Sequence, residues 1–398
     1  MKGEVLIVST ISDDPFAIDV AHFFGQKAEI ADHLALKEFS NGEFCPRFIS
    51  DENDFDNIGY HLQGKTVVIV STCCGIASRD ARAMRTCLTA RAAKDNGAEE
   101  VVLLEPDLFY SAQDRGPRPE HGEVDFSRTA KDYKKFDGQP FSAKLYGELL
   151  KTSGVDCVLT VHNHSIAVER LYNKLFNGRF YNLSPASLYA DFLTSEGMVG
   201  YNDSSQSIAL CAPDAGARSF VDTIYKEIQK ISHDMLLSPS TDVLFMEKER
   251  KGERQVLIQP ASDSPLQKQH IEGRDVIVFD DMVRTGYTIM ECCRQLKEYG
   301  ARHVIFVVTH FYSSDEVKEN LNSNAIDEIV TSNSLPAILN RDRQGRLRKK
   351  MLALKIEKWL ADFLLRHIAD SDTSAEPPLY SIDMSTKNPR AAKRNMTG

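Results

Sequence analysis

The sequence has no apolar run long enough to cross a membrane. Its longest apolar runs, such as 276–279 and 304–308, are far shorter than the roughly 20 residues that a spanning helix needs. The opening stretch MKGEVLIVST contains too short an apolar segment for secretion and is typical of a first buried strand. We therefore expect a protein of the cytoplasm.

The sequence also lacks a Cys-x-x-Cys pair and an excess of basic residues. Its eight cysteines include two adjacent pairs, Cys73-Cys74 and Cys292-Cys293, a spacing that indicates neither a zinc site nor a disulfide framework. The formal net charge of -9 at pH 7 argues against a nucleic-acid partner, because binding to a duplex usually needs a basic face. The 42% hydrophobic and 26% charged residues are typical of a globular protein.

What the sequence does contain is a regular alternation of strand-like runs and amphipathic segments of helical length, which is typical of parallel α/β sheets. The length of 398 residues predicts two or three domains. The similar stretches KDNGAEEVVLL and KEYGARHVIFVV indicate two halves of similar build, although Gly-Ala turns commonly end helices. The strand-like runs are 5–9, 66–71, 101–105, 157–161, 208–212, 276–279 and 304–309.

Two stretches interrupt this alternation. Residues 115–138 are long, polar and rich in charge, which predicts a surface insertion. Residues 369–398 are polar, contain several prolines and end in the basic stretch KNPRAAKRNMTG, which predicts a partly disordered tail.

The stretch VIVFDDMVRTGYT carries the clearest chemistry. Four apolar residues predict a strand covered on both faces, so Asp280 and Asp281 lie at its carboxyl end, where ligands of parallel sheets bind. Helical spacing resumes at Ile289, which puts residues 284–288 at a helix N-terminus whose free N–H groups and positive dipole end favour a phosphate. A carboxylate pair beside a phosphate loop predicts a sugar-phosphate site; the alternative is a pair of capping aspartates.

Residue type alone leaves the roles of several other polar groups undecided. His162 and His164, in the extended segment VHNHS, are either ligands of a metal or nucleotide phosphate, or structural. Asp214 in CAPDAGA lies at a strand end, where it suits a hard cation or a simple turn. The charged run 246–255 is by itself typical of a solvated loop.

Taken together, these stretches resemble a known family. VIVFDDMVRTGYT is similar to the ribose-phosphate loop of type I phosphoribosyltransferases and of phosphoribosyl pyrophosphate (PRPP) synthetases. The motifs KEFSNGE, FYSAQDRG, FSAKL, VHNHS, CAPDAGA, MEKERKGE and SNSLP follow the order found in ribose-phosphate pyrophosphokinases. The resemblance runs from about Val5 to about Asp383 and is specific because seven weak matches occur in sequence.

The resemblance implies an α/β fold of two similar phosphoribosyltransferase-type, Rossmann-like domains, each a mainly parallel sheet flanked by helices. We expect these domains at residues 1–165, including the insertion at about 115–138, and at 166–340. Residues 341–371 are expected to form a helical segment that packs back on the N-terminal domain, and residues 372–398 a partly disordered polar tail.

The resemblance also implies the reaction, in which the diphosphoryl group of Mg-ATP is transferred to O1 of ribose 5-phosphate to give PRPP and AMP. The implied partners are ATP and ribose 5-phosphate, the cofactor is Mg²⁺, and the assembly is a homo-oligomer, with hexamers built from dimers in the family. No nucleic acid or membrane is expected to bind.

The implied catalytic residues are Lys248 and Arg250, on a mobile loop. The implied ATP-binding residues are Phe39, Asn41, Glu43, Gln113, Asp114 and His164; the ribose-5-phosphate-binding residues are Asp280, Asp281, Arg284, Thr285, Gly286, Tyr287 and Thr288; and the metal ligands are His164 and Asp214.

The chain departs from the family pattern at several places. Ala112 replaces an arginine, His162 an aspartate and Arg284 an acid, and the insertion enlarges a short loop. These departures leave two alternatives to the synthetase: a non-catalytic regulatory relative, and a nucleobase phosphoribosyltransferase, whose loop DDMVRTGYT matches equally well. Retention of Lys248 and Arg250 opposes the first alternative, and the duplicated architecture with its ATP-side motifs opposes the second.

Overall fold

Buried apolar strands organise the chain into two units, each with its own sheet. The computed structural model describes residues 3–74, 78–200, 207–251 and 255–394. The first unit contains Met1–Leu183, Ser334–Pro336 and Ile356–Leu379, and the second contains the remaining segments. Among the described residues, no helix has the length and apolar character needed to cross a bilayer.

The first unit is built on a five-stranded parallel sheet in the order β1-β4-β5-β6-β7. Elements are numbered along the whole chain. Its strands are β1 (Val5–Ser9), β4 (Thr66–Val70), β5 (Glu100–Leu104), β6 (Cys157–Val161) and β7 (Phe180–Leu183), with a separate antiparallel hairpin of β2 (Leu34–Glu38) and β3 (Phe44–Phe48). Its helices are α1 (Pro15–Phe24), α2 (Ile30–His33), α3 (Arg79–Asp95), α4 (Ala130–Lys134), α5 (Ser142–Ser153), α6 (Ile166–Leu175) and α12 (Glu357–Phe363).

The second unit has an eight-stranded mixed sheet in the order β10-β9-β8-β11-β12-β13-β14-β15. Its strands are β8 (Ile208–Ala212), β9 (Thr241–Lys251), β10 (Gln255–Pro260), β11 (Asp275–Val283), β12 (His303–Phe311), β13 (Glu328–Ser332), β14 (Met351–Lys355) and β15 (Ser381–Met384). Its helices are α7 (Ala186–Ser195), α8 (Arg218–Asp234), α9 (Tyr287–Glu298), α10 (Asp315–Leu321), α11 (Arg341–Gln344) and α13 (Pro389–Arg394).

The central strands are buried on both faces because helices cover both sides of a parallel sheet. Every residue of β4, β6 and β8 is buried, and their valine and isoleucine side chains suit a pleated surface. The sequence prediction of a mainly parallel α/β fold with two sheets is therefore confirmed.

The two Gly-Ala turns have the same hydrogen bonds. The N–H of Gly97 donates to Lys94 O and that of Ala98 to Ala93 O, and the pair Gly300-Ala301 repeats this pattern at the end of α9. Both glycines have a left-handed φ, of 89° and 87°, which glycine adopts without steric cost. The shared dipeptide thus marks equivalent helix ends in the two units.

The unit boundary differs from the one expected at residue 165. The first unit continues to Leu183 because β7 pairs in parallel with β6, with Val158 opposite Phe180. The segment 341–371, expected to be helical, divides between the units: residues 351–355 form β14 of the second sheet, while α12 packs against α1 in the first unit.

The C-terminal tail is more ordered than its composition predicts. Strand β15 pairs antiparallel with β14, which covers an edge that would otherwise present unpaired backbone groups. Tyr380 and Asn388 are buried, and Arg390 forms a bidentate ion pair with Glu328. Residues of the tail therefore bond to the edge of the second sheet and pack against it instead of remaining in solvent.

Candidate active site

The second sheet has a topological switch point between β8 and β11. The chain leaves β8 toward β9 on one side, while β11 and β12 lie on the other. In open parallel sheets, ligands bind in the crevice outside the carboxyl ends of the strands at such a point. Asp214 follows β8 and Asp280 lies near the end of β11, so both carboxylates border this crevice.

Asp280 and Asp281 lie within β11, which continues past the four apolar residues to Val283. The Asp281 N–H donates to Asp280 Oδ1 over 3.0 Å, and the Met282 N–H donates to Asp281 Oδ1 over 2.6 Å. Burial raises the pKa of Asp280 well above its usual range, and the negative charges of Asp281 and Asp214 raise it further. Hydroxyl donors or a cation would relieve this repulsion.

Residues 284–288 connect β11 to α9 and form the helix N-terminus that the sequence predicts. Gly286 is the N-cap, with a left-handed φ of 77°, and a Cβ there would lie 3.2 Å from the Leu321 side chain. The Asn320 amide donates to the Thr285 carbonyl oxygen over 2.7 Å and holds the loop from the side. The side chains of Arg284, Thr285 and Tyr287 are exposed, and that of Thr288 is half-buried.

Lys248 lies beside Asp214 at the same edge of the sheet. Lys248 Nζ is 3.1 Å from Asp214 Oδ2, and the Gly216 N–H donates to Asp214 Oδ1 over 3.0 Å. Both charged side chains remain more than a third exposed, so this ion pair is available to exchange partners with a ligand.

The charged run after Phe245 differs from the expected loop. Residues 241–251 form strand β9, which pairs antiparallel with β10. Leu244, Met246 and Lys248 lie on the same face of the strand. Leu244 and Met246 are buried and Lys248 is exposed, so this face leaves the core as the charged run begins. Arg250 lies on β9, but its side chain is outside the described residues.

In the first unit, Phe39, Asn41 and Glu43 lie at the tip of the β2–β3 hairpin, and all three are exposed. The Phe39 N–H donates to the Glu43 carbonyl oxygen over 2.8 Å, and the Glu43 N–H donates to Asn41 Oδ1 over 3.2 Å. Lys37 Nζ lies 4.6 Å from the centre of the Phe39 ring. The tip is thus ordered by its own hydrogen bonds and open to a ligand or another subunit.

Gln113 and Asp114 are held in place from two directions. The Ser142 hydroxyl donates to Gln113 Oε1 over 2.6 Å. Asp114 is buried, and the Ser165 hydroxyl donates to its Oδ2 over 2.6 Å. Since Ser165 directly follows His164, the structure brings these three predicted nucleotide-side residues to one region of the first unit.

The histidine segment is not extended as expected. His162 has a left-handed φ of 46°, which non-glycine residues rarely adopt. The turn is fixed by the Asn182 side chain, whose Oδ1 accepts the Asn163 N–H over 2.8 Å, and by Ser165, whose Oγ caps α6. His164 is exposed and His162 is half-buried, so the two rings differ in accessibility.

Comparison with known proteins agrees with this geometry. Residues 198–336 match the family model of the phosphoribosyl transferase domain. A ribose-phosphate pyrophosphokinase of Helicobacter hepaticus is 26% identical over 307 residues, covering 76% of this chain and 79% of the relative. One from Buchnera aphidicola is 25% identical over 347 residues, covering 86% and 90%.

A solved structure supports the same fold. The crystal structure of phosphoribosylpyrophosphate synthetase from Mycobacterium smegmatis aligns with a TM-score of 0.67 at 19% identity, covering 92% of this chain and 100% of that one. The chain is similar to ribose-phosphate pyrophosphokinases over most of its length. The family resemblance of the sequence motifs is therefore confirmed, while the roles of individual residues remain predictions.

The side chains at the second sheet's crevice suit Mg²⁺ in part. Among the described residues, no group of three or more His, Cys, Asp or Glu side chains could by itself enclose a metal. Mg²⁺ at phosphate sites usually takes one or two carboxylates together with phosphate oxygens and water. Asp214, which is exposed by about two fifths and lies close to Asp280, is a carboxylate of this kind.

Sequence reasoning missed two residues that support the site. Ser165 is the N-cap of α6, and its position just before a helical pattern is a recognisable capping signal. Asn320, which holds the Thr285 carbonyl, is 35 residues away in sequence. No local pattern could have assigned Asn320 to the ribose-phosphate loop.

Proposed function

We propose that the chain is a ribose-phosphate diphosphokinase, which transfers the β,γ-diphosphoryl group of Mg-ATP to O1 of ribose 5-phosphate. One observation carries this proposal. An acid pair on β11 is followed directly by a helix N-terminus that suits a phosphate, and both lie at a switch point of the sheet. The names of the family relatives support the same chemistry.

Ribose 5-phosphate would bind with its 5-phosphate on residues 284–288 and its hydroxyls toward Asp280 and Asp281. The loop offers N–H groups, the Thr285 and Thr288 hydroxyls and the positive end of the α9 dipole. Carboxylates accept hydrogen bonds from sugar hydroxyls, and ordered acceptors fix the direction in which O1 points.

In the reaction, O1 of the ribose attacks the β-phosphorus of ATP. The bond from that phosphorus to the oxygen bridging the α- and β-phosphates breaks, so AMP leaves and the O1 proton is released. Lys248 and Arg250 would stabilise the negative charge that spreads over the phosphoryl oxygens. Lys248 is already near the crevice through its ion pair with Asp214.

When bound, Mg²⁺ neutralises phosphate charge. Asp214 and His164 are each proposed as a metal ligand, and Asp214 suits a hard cation better than the imidazole does. The adenine side would involve Phe39, Asn41 and Glu43, together with Gln113, Asp114 and His164. The hairpin tip is exposed, which is consistent with a nucleotide pocket that another subunit completes. We therefore propose a homo-oligomer, and we place it in the cytoplasm.

Phosphorus NMR of purified protein with ribose 5-phosphate, ATP and Mg²⁺ tests the proposal. We expect AMP and PRPP to appear together, only when ribose 5-phosphate is present. A nucleobase phosphoribosyltransferase is the second candidate, because the family model covers the second unit's loop. That candidate would instead release pyrophosphate from PRPP and a base, without ATP.

A further inference from the structure

Residues 115–138 lie mainly at the surface, but they are held by contacts among themselves. Arg128 Nη2 donates to the Gly116 carbonyl oxygen over 2.7 Å, and Nη1 donates to His121 O over 3.2 Å. Its guanidinium also lies 4.1 Å from the centre of the Tyr133 ring, a distance at which the cation is attracted to the ring face. Internal contacts therefore hold this segment in a defined conformation.

Arg115 connects the segment to Asp114. Its guanidinium lies 5.2 Å from the centre of the Phe136 ring, and its Nε donates to Asp114 Oδ1 over 3.1 Å. Asp114 is only 8% exposed, so its charge must be compensated by hydrogen bonds and a nearby cation. Arg115 provides both a cation and a hydrogen bond.

Asp114 in turn orders the first turn of α6. Its Oδ2 accepts the Ser165 hydroxyl over 2.6 Å, and Ser165 Oγ accepts the N–H groups of Ala167 over 3.2 Å and Val168 over 3.4 Å. An N-cap of this kind fixes where the helix begins. His164 is the residue immediately before the cap, so its backbone position depends on Ser165.

A second tie joins the segment to α6. Arg170 donates to Asp125 over 2.5 Å, but the two side chains are 40% and 65% exposed. Exposed ion pairs of this kind contribute little to stability. The mainly buried chain of contacts from Arg115 through Asp114 to Ser165 is therefore the stronger attachment.

We propose that Arg115 is a positioning residue for nucleotide binding: it holds Asp114, and through Asp114 the Ser165 cap, so that His164 is presented in a fixed orientation. This inference rests on the proposed function and assigns a role to the segment 115–138. Groups that orient a binding residue affect the ligand that this residue contacts more than a ligand bound elsewhere.

The test compares Arg115→Met, which keeps an unbranched apolar side chain but removes the guanidinium, with Arg115→Lys and with Arg118→Met. Arg118 belongs to the same segment, but it is 71% exposed and pairs only loosely with Glu120, at 3.9 Å. We expect Arg115→Met to raise KM for ATP about tenfold and to leave KM for ribose 5-phosphate nearly unchanged. Arg115→Lys should recover part of the loss, and Arg118→Met should behave as the wild type.

A second measurement does not depend on turnover. Amide hydrogen exchange at Ala167 and Val168 should be faster in Arg115→Met than in the wild type or in Arg118→Met, and calorimetry should show weaker binding of a non-hydrolysable ATP analogue. Unchanged exchange and unchanged nucleotide affinity would overturn the proposal, as would an equal rise of both KM values. If the wild type makes no PRPP, the proposed function fails, while exchange and binding still decide the role of Arg115.

Discussion

At the scale of single residues, a buried carboxyl dominates the first unit. Glu105 is fully buried, and burial raises its pKa to about 8. Its Oε1 contacts the hydroxyls of Ser71 at 3.0 Å and Tyr146 at 2.9 Å, and its Oε2 accepts the Phe109 N–H over 2.9 Å. Both hydroxyls and the Phe109 N–H donate to the carboxyl group, so neither of its oxygens lacks a hydrogen bond.

The raised pKa of Glu105 predicts how stability depends on pH. Because the pKa of Glu105 is higher in the folded state than in the unfolded state, its contribution to the unfolding free energy is fully present below about pH 4.5. This contribution is lost as pH rises toward 8. Glu105→Gln, with its amide nitrogen toward the hydroxyls, should remove a slope of about 1 kcal/mol per pH unit between these limits. Urea unfolding of both proteins at pH 5.5 and pH 8 measures it; equal slopes would refute this assignment.

Asp280 gives a prediction about substrate binding. Its pKa is raised by burial and by its acidic neighbours, so its carboxylate form, which accepts hydroxyl hydrogens, becomes more populated as pH rises. KM for ribose 5-phosphate should therefore fall with rising pH in the wild type. Asp280→Asn should flatten this profile and raise KM about tenfold at the alkaline end.

The control for this substitution is Asp315→Asn, because Asp315 is fully exposed on α10. Its pH profile should match that of the wild type. Steady-state kinetics across the pH range compare the three proteins. A wild-type profile that Asp280→Asn leaves intact would show that another group titrates.

At the scale of elements, the turn into α9 is expected to link folding to phosphate binding. Gly286 and Gly273 have nearly the same left-handed φ, 77° and 75°, but only Gly286 lies in the loop that we propose binds the ribose phosphate. Replacing either by alanine should cost about 1 kcal/mol of unfolding free energy. Only Gly286→Ala should also raise KM for ribose 5-phosphate, since the added Cβ approaches Leu321 and shifts the loop. Denaturant unfolding and steady-state kinetics separate the two effects, and an equal KM increase in Gly273→Ala would contradict this role.

The C-terminal element makes a separate prediction. Arg390 and Glu328 are 17% and 14% exposed, so removing one partner leaves a mainly buried charge without compensation. Arg390→Met should lower the unfolding free energy by about 3 kcal/mol. Arg294→Met, which breaks exposed pairs on α9, should cost far less; a similar loss from both variants in urea titrations would argue against the burial explanation.

Elements were predictable where a single segment carries its own signal. The buried strand before Asp280 and the helix after Thr288 follow from residue order alone, and so do the Gly-Ala helix ends. Strand β15 did not, because its stability comes from pairing with β14 about thirty residues earlier. The β9 strand was hidden by its charges, because a dense charged run is by itself typical of a solvated loop.

At the scale of the whole molecule, the family and the two-sheet architecture were accessible from the sequence, because seven short motifs occur in one order. The contacts that support the site were less accessible. Asn320 reaches Thr285 across 35 residues, and Ser165 reaches Asp114 across 51. Such pairs form only when the fold brings separate strand ends to one edge, so no local pattern contains them.

The proposed diphosphoryl transfer depends on Lys248 and Arg250 of β9. The most direct measurement is phosphorus NMR of the wild type and of the double variant Lys248→Ala, Arg250→Ala, each incubated with ATP, ribose 5-phosphate and Mg²⁺. We predict AMP and PRPP in equal amounts from the wild type and almost none from the folded variant. Turnover that survives the double substitution, or a folded wild type that forms neither product, would contradict the account.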